Sequence, residues 1–348
     1  YTLYGDQADG TYNGFGRSFA HMNMPATFMW AKGMEKAPVS VRFERPDVSW
    51  DIATQLFPTS DPERFTAPDF AYFMDSPVRI GPMQWFSFTL GEGELSQEIR
   101  IALQHKGTNE EAGLWAYNMW KIFQEEVDVF GELPQYDGRT YTFLAAFLAG
   151  VQRDGMEHRN STIVTHTEPL SADGKGNLGT MAHEFFHQWN VERIRPKTLE
   201  PFNYEAANPS DVLWLAEGFT NYFQTLSIRR AGILTDEEFA ESLVRPIQTV
   251  INSPARAHRS ASDMSEWAVF SDRGVSADRI NSANTFLSYY TWGSVIGLSL
   301  DLTLRTQYDT TLDDFMRLLW TRYGKTETPY TLTDARQALA DLSGDASF

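Results

Sequence analysis

Alternation of apolar and polar residues marks the first half of the chain. It is clearest in VSVRFERP at residues 39–46, where every second side chain is apolar. Other strand-like runs occupy residues 84–90, 98–104, 139–147 and 161–167. Residues 111–130 instead carry apolar side chains at helical spacing and precede Gly131, a residue typical of helix ends. The first half is therefore predicted to be rich in strands.

The pattern becomes helical from Gly179 onward. Thr235 and Glu238 have the spacing of a capping box, and Gly324 and Gly344 stand where helices are expected to end. The predicted helices lie near residues 179–193, 211–231, 235–252, 284–306, 311–323 and 332–342. Strands followed by helices predict an α+β fold.

Composition narrows the class of protein. The 348 residues include 46 Asp and Glu against 29 Lys and Arg, a net charge of −17 that argues against nucleic acid or an anionic membrane as partner. The chain has no cysteine, which excludes disulfides and thiolate metal sites. No apolar run approaches the roughly 18–20 residues that span a bilayer, so no membrane span is expected.

MAHEFFHQWN, at residues 181–190, carries the strongest chemical signal. On a helix, His183 and His187 lie one turn apart and project from the same face, where two neutral imidazoles can hold one Zn²⁺. Glu184 stands beside that position and can take a proton from water at the metal. A chance match to His-Glu-x-x-His in a chain with 7 histidines is on the order of one in a hundred.

A catalytic zinc requires a third protein ligand and one open position. Glu217 is the candidate, on the predicted helix 211–231, and 29 residues separate it from His187. Its neighbours in LWLAEGF are apolar, and an unpaired carboxylate among them would be costly. Zinc ligation would remove that cost.

The chain resembles the glycyl aminopeptidase family of zinc metallopeptidases. The resemblance rests on HEFFHQWN, RIRPKTLEPF and LWLAEGFTNYF, with further blocks DSPVRIG, GMEHRNST and SYYTWGSVIGLSLDLTLR in the family's order. It implies a thermolysin-like catalytic domain, one catalytic Zn²⁺ held by His183, His187 and Glu217, and Glu184 as general base. It also implies that the strand at 140–147 presents its edge to the substrate backbone.

The remaining blocks imply two substrate contacts. The match of GMEH to the Gly-x-Met-Glu-Asn motif of related aminopeptidases implies that Glu157 binds the α-amine of the substrate. His158, which replaces the asparagine, is either a support of the site or an ordinary loop histidine. The match of YYTWG to Tyr-x-Lys-Gly implies that Tyr290 stabilises the oxyanion of the reaction intermediate. Trp292 stands in place of the lysine, and Tyr289 is the alternative phenol.

The resemblance also implies a domain organisation. Residues 1–74 are expected to be the C-terminal part of a β-rich N-terminal domain, and 75–348 the catalytic domain, strand-rich over 75–178 and helical over 179–348. Full members often add a PDZ domain, and none is expected within these residues.

The sequence therefore predicts a zinc aminopeptidase that acts on peptides with a free N-terminus. Water activated at the zinc would attack the first peptide bond, and the family's name implies a preference for Gly or Ala. Two alternatives stay open: a zinc endopeptidase or oligopeptidase with the same core, and a non-catalytic binding protein with a structural zinc.

Overall fold

The computed structural model describes residues 1–91, 93, 96–272 and 278–347. The chain folds into two compact units. The first unit holds residues 1–124 and 133–188, and the second unit holds residues 125–132 and 189–348. Strands concentrate in the first unit and helices in the second, so the predicted α+β class is confirmed. The domain boundary after residue 74 stays a prediction.

Two small antiparallel sheets form the N-terminal part of the first unit. Their strands run in the orders β1-β2-β7-β4 and β3-β6-β5, and aromatic and aliphatic side chains fill a shared core. The elements are β1 Gly14–Phe15, β2 Ala20–Met22, α1 Met24–Thr27, β3 Val39–Arg42, β4 Asp51–Thr54, β5 Phe57–Pro58, β6 Arg64–Ala67, α2 Phe70–Met74 and β7 Val78–Gly81. Strand β3 confirms the alternation at 39–46, because Val39 and Val41 pack against the core while Ser40 and Arg42 are exposed.

The first unit also contains a five-stranded sheet. Its strands are β8 Gln84–Leu90, β9 Gln97–Gln104, β10 Thr140–Phe147, β11 Asp154–His158 and β12 Ser161–His166, in the order β11-β12-β10-β9-β8. Strand β10 runs parallel to both of its neighbours, and seven of its eight residues are buried. The expectation that β10 presents an edge is therefore wrong. Its continuous apolar run is typical of a central parallel strand, and β11 is an edge strand of this sheet.

Two helices accompany this sheet, α3 Asn109–Phe130 and α4 Leu178–Phe186. The ring of Phe185 on α4 packs against Phe123 on α3, with centroids 4.2 Å apart, and against Phe143 on β10 at 5.9 Å. Gly131 follows α3 with φ at +83°, as its position in the sequence predicted. The helix predicted over 179–193 is wrong beyond Phe186, where a series of turns with mixed hydrogen-bond spacing replaces the regular helix.

Helices fill the second unit. They are α5 Leu213–Arg230, α6 Asp236–Asn252, α7 Ala261–Glu266, α8 Ala268–Ser271, α9 Ser282–Thr285, α10 Tyr289–Gln307, α11 Leu312–Leu319, a π turn Trp320–Gly324 and α12 Leu332–Ser343. Thr235 and Glu238 form the predicted capping box, and Gly344 ends α12 with φ at +71°. Within the described ranges, no helix is both long and apolar enough to cross a membrane.

Helices α5 and α10 cross at a pair of glycines. A β-carbon on Gly293 would lie 1.9 Å from the carbonyl oxygen of Trp214, and one on Gly218 would lie 2.3 Å from the Cα of Gly293. Real β-carbons do not approach other atoms so closely, so both positions require glycine. The crossing brings together the helix segments that carry Glu217, next to Gly218, and Tyr290, one turn before Gly293.

The helix predicted over 284–306 is interrupted. Helix α9 ends at Thr285, Phe286 is extended, and α10 begins at Tyr289. The break carries Leu287 into a core cluster, where it is buried. As a result Tyr290 lies in the first turn of α10 rather than in the middle of a long helix.

A buried basic pair lies in the N-terminal part of the first unit. Nε2 of His21 is 2.7 Å from the carbonyl oxygen of Asp9, and Nδ1 of His21 is 3.3 Å from the guanidinium of Arg79, which also donates to Gln104. Burial, and then the charge of Arg79, lower the pKa of His21 to about 3, although Asp9 opposes the shift and His158 adds slightly to it. Burial also lowers the pKa of Arg79 to about 9. His21 is therefore neutral in the folded protein near pH 7.

This pair predicts a loss of stability in acid. Between pH 6.5 and about 3, His21 takes up a proton in the unfolded chain but not in the folded one, so the free energy of unfolding falls by about 1.4 kcal/mol per pH unit. Urea titrations at pH 7 and pH 4.5 should show a drop about 2–3 kcal/mol larger for the wild type than for His21→Gln. His258→Gln, an exposed control, should behave as the wild type. Equal drops in all three proteins would contradict the assignment.

Candidate active site

Helix α4 brings the two predicted histidines together. His187 follows α4 directly and keeps helical backbone angles, and its N–H lies 3.3 Å from the carbonyl oxygen of His183. The two rings are nearly perpendicular, with centroids 4.6 Å apart and one ligand nitrogen from each within 4.8 Å of the other. Both side chains are buried. Two imidazoles held one helical turn apart fit a Zn²⁺ ion, which prefers nitrogen ligands of this kind.

Glu184 points from α4 toward strand β11. A β-carbon built on Gly155 would lie only 2.1 Å from Oε1 of Glu184, which shows how closely the carboxylate approaches the strand backbone. Its second oxygen lies 3.5 Å from the hydroxyl of Thr162 on β12, and the side chain is 5% exposed. The position of this carboxylate is therefore set by the sheet as well as by its own helix.

Glu157 lies in strand β11, not in a loop, and is half-buried. Ligand atoms of Glu157, Glu184 and His187 all lie within 4.8 Å of one another. Two carboxylates at this separation repel each other, and a cation between or beside them would relieve the repulsion. The arrangement favours an ammonium group or a metal ion as the ligand of this part of the first unit.

His158 is buried at the end of strand β11 and is not an exposed loop residue. It follows Glu157 on β11, so the two side chains project from opposite faces of the strand. Its Nδ1 lies 2.8 Å from Oδ1 of Asp75, and because a carboxylate only accepts hydrogen bonds, Nδ1 is the protonated nitrogen. Asp75 belongs to the DSPVRIG block, for which the sequence indicated no specific role.

Glu217 lies on α5 in the second unit and is half-buried. Asn190 holds the chain just before it: its side-chain amide donates to the carbonyl oxygens of Leu215, at 3.4 Å, and Ala216, at 3.0 Å. The same amide donates to the hydroxyl of Thr220 at 3.2 Å. Asn190 therefore fixes the first turn of the helix that carries Glu217.

The two tyrosines at the start of α10 differ in their surroundings. The hydroxyl of Tyr289 donates to Asp272 at 2.8 Å, and the ring is buried. Burial raises the pKa of Tyr289 far above its ordinary value, and the charges of Asp272 and Glu217 raise it further. Tyr290 stacks beside it, with centroids 4.9 Å apart, and is half-buried. The environment therefore favours Tyr290 as the phenol that can reach a ligand.

Sequence reasoning missed three features of these surroundings: Gly155 beneath Glu184, Asp75 beside His158, and the glycine crossing of α5 and α10. The signals were present, because Gly155 precedes Met-Glu-His and Gly218 follows Glu217 directly. Their meaning depends on which strand or helix approaches them, and that is a tertiary property.

Solved structures with the same fold include an aminopeptidase N family protein and M1 zinc metallopeptidases. An aminopeptidase N family protein from Idiomarina loihiensis has 23% identity and a TM-score of 0.83, covering 96% of this chain and 58% of that one. An M1 zinc metallopeptidase from Deinococcus radiodurans has 16% identity and a TM-score of 0.58, covering 99% and 71%. A mutant of the Deinococcus enzyme bound to the substrate Tyr-Ser-Ala has 15% identity and a TM-score of 0.50, covering 94% and 67%. This chain thus spans little more than half of the Idiomarina protein. No curated protein sequence matches it.

The fold is that of solved zinc metallopeptidases, and helix α4 carries the His-Glu-x-x-His sequence. Two models of a single family match the sequence: M61 glycyl aminopeptidase over residues 176–296, and the peptidase M61 N-terminal domain over residues 1–82. Together they span more than half of the chain. The chain belongs to the M61 glycyl aminopeptidase family, as the sequence blocks predicted.

Proposed function

We propose that this protein is a zinc-dependent aminopeptidase that releases small N-terminal residues. The observation that carries the proposal is the position of Glu157, on an edge strand and within 4.8 Å of Glu184 and His187. A carboxylate beside the general base can hold a substrate's α-ammonium, so that only the first peptide bond reaches the reacting groups. The preference for Gly or Ala follows from the family's description alone.

Three side chains would hold the metal: His183, His187 and Glu217. The perpendicular, buried imidazoles support the first two, and the match of LWLAEGFTNYF to the family's block supports the third. A Zn²⁺ ion held by two histidines and a glutamate leaves one position open for substrate. When bound, it would act as a Lewis acid that makes water more acidic and the scissile carbonyl more electrophilic.

The remaining residues would divide the proton transfers and the binding. Glu184 takes a proton from the attacking water and returns it to the nitrogen of the departing amine. Tyr290 donates a hydrogen bond to the oxygen on which negative charge develops. Glu157 keeps the ammonium group in place during both steps. Strand β11 is an edge strand, and edge strands bind extended peptides through their backbone groups in other peptide complexes.

A pair of peptides tests the proposal. With zinc present, a Gly-led peptide with a free amine should lose its first residue, whereas its N-acetylated twin should be cut at least about 100-fold more slowly. Glu157→Ala should lower kcat/KM for the free peptide by about 10- to 100-fold, since charge-assisted hydrogen bonds contribute about 1.5–3 kcal/mol. Peptide products are identified by mass spectrometry.

Glu168→Ala, which removes an exposed carboxylate just after β12, is the matched control and should behave as the wild type. Cleavage of both peptides at similar rates, or cleavage at internal bonds, would favour the endopeptidase alternative and remove the role of Glu157. Absence of zinc-dependent cleavage of either peptide would favour the non-catalytic alternative.

A further inference from the structure

The turn that joins β11 to β12 is clamped by polar side chains from three other segments. Residues 159 and 160 form this turn, between His158 and Ser161, which face each other in the two strands. Oε1 of Gln55 accepts from the backbone N–H of Asn160 at 2.8 Å. Oδ2 of Asp137 accepts from the side chains of Arg159, at 2.7 Å, and Asn160, at 2.9 Å. Asp75 supplies the third set of contacts.

Asp75 bonds His158, the strand residue next to Glu157. Its Oδ1 accepts from Nδ1 of His158 at 2.8 Å, and its Oδ2 accepts from the backbone N–H of Arg159 at 2.9 Å. Asp75 is itself fixed, because it ends helix α2 and its backbone carbonyl accepts from Gln55 at 2.8 Å. The carboxylate therefore presents two hydrogen-bond acceptors to the end of β11 from a rigid position.

The end of an edge strand needs such support. Among the residues that the structure describes, strand β11 has β12 as its single ladder partner, and Glu157 and His158 are its last two residues. A strand end held by a single ladder is prone to fray. Because consecutive side chains project to opposite faces, a bond that fixes His158 on one face also fixes the direction in which Glu157 projects on the other.

We propose that Asp75, acting through His158, positions Glu157 for the substrate's ammonium and thereby sets the preference for free N-termini. This inference rests on the proposed role of Glu157. Asp75 and His158 are positioning residues, since the side chain of His158 projects from the face of β11 opposite to that of Glu157 and Asp75 bonds it there. A displacement of about 1 Å in a binding group can change reactivity by as much as 100-fold, so a loosened strand end should affect substrate capture measurably.

Four variants test the inference in the full chain with zinc bound. Asp75→Ala and His158→Phe remove the bond, and the second keeps the volume of the ring. Both should lower kcat/KM for a free-amine Gly peptide about tenfold, mainly through KM. His158→Asn should stay within about threefold of the wild type, because the asparagine amide can occupy the place of Nδ1 and donate to Asp75. Asp137→Ala is the matched control: it removes the bonds of Asp137 to the side chains of Arg159 and Asn160 in the same turn, keeps the bond of Asp75 to His158, and should also stay within about threefold.

A double-mutant cycle separates positioning from general stability. In the Glu157→Ala background, Asp75→Ala should cause no further loss, because the residue that it positions is absent. A further tenfold loss in that background, or an equal loss in Asp137→Ala, would overturn the inference while leaving the role of Glu157 intact. Were Glu157→Ala itself to leave the preference for free amines unchanged, the proposed function would fail first, and Asp75 would have no ammonium site to position.

Discussion

Glu184→Gln should lower kcat by about a thousandfold and leave the zinc content unchanged. A positioned general base contributes about 100- to 10,000-fold, and glutamine keeps the size of the side chain but cannot accept the proton of the attacking water. Glu184 is buried against β11, so the amide should occupy nearly the same place. Steady-state kinetics with the free-amine peptide and metal analysis after dialysis measure the two quantities.

Two further variants distinguish loss of the general base from a general effect of the substitution and from loss of the metal. Glu125→Gln changes a half-buried glutamate of α3 in the same way and should retain full activity. Glu217→Ala should lose zinc as well as activity, because it removes a proposed ligand rather than the base. A Glu184→Gln protein that kept more than a tenth of the wild-type kcat would exclude Glu184 as the base. A Glu217→Ala protein with full zinc occupancy would require a different third ligand.

The elements that carry the chemistry were predictable because their signals are local. His183 and His187 fall on one face of a helix by their four-residue spacing alone, and Glu217 was identified by the apolar residues beside it in the chain. Likewise the helix ending at Gly131 and the capping box at Thr235 depend only on nearby residues. Such features need no knowledge of what packs against them.

The relations between distant segments were not predictable in the same way. Residues 140–147 have the apolar run of a central strand, yet the resemblance led to the expectation of an edge. Strand β11 lies at an edge of the five-stranded sheet instead, and its five residues are too few and too polar to show a strand pattern. The pairing of β11 with β12 brings Glu157 beside Glu184, and Asp75 lies 83 positions before the His158 that it bonds.

Glycines illustrate the same distinction. Gly131 and Gly344 adopt positive φ at helix ends, a requirement that can be read from the local pattern. Gly218, Gly293 and Gly155 are required for a different reason, since other atoms occupy the space of a β-carbon. A single sequence contains glycines of both kinds without distinguishing them.

Gly155→Ala should therefore reduce activity about 100-fold without unfolding the protein. The new β-carbon would lie 2.1 Å from Oε1 of Glu184, whereas contacts below 3.0 Å are essentially never seen for real β-carbons, so the carboxylate must move by about 1 Å. The atoms that must move belong to the far end of a flexible side chain, and alanine is compatible with the strand backbone at this position, where φ is not positive. The loss should appear in kcat, because the general base is displaced while Glu157 still holds the amine.

Gly113→Ala provides the matched control for this substitution. Gly113 lies on helix α3, and a β-carbon there would meet no atom within 4 Å. Alanine should stabilise that helix by up to about 1 kcal/mol and leave kcat unchanged. Thermal unfolding and steady-state kinetics of the two variants separate the effects. Full activity in Gly155→Ala would mean that Glu184 can act from a second position. A collapse of Tm would instead mean that the sheet, and not the carboxylate, yields to the added methyl group.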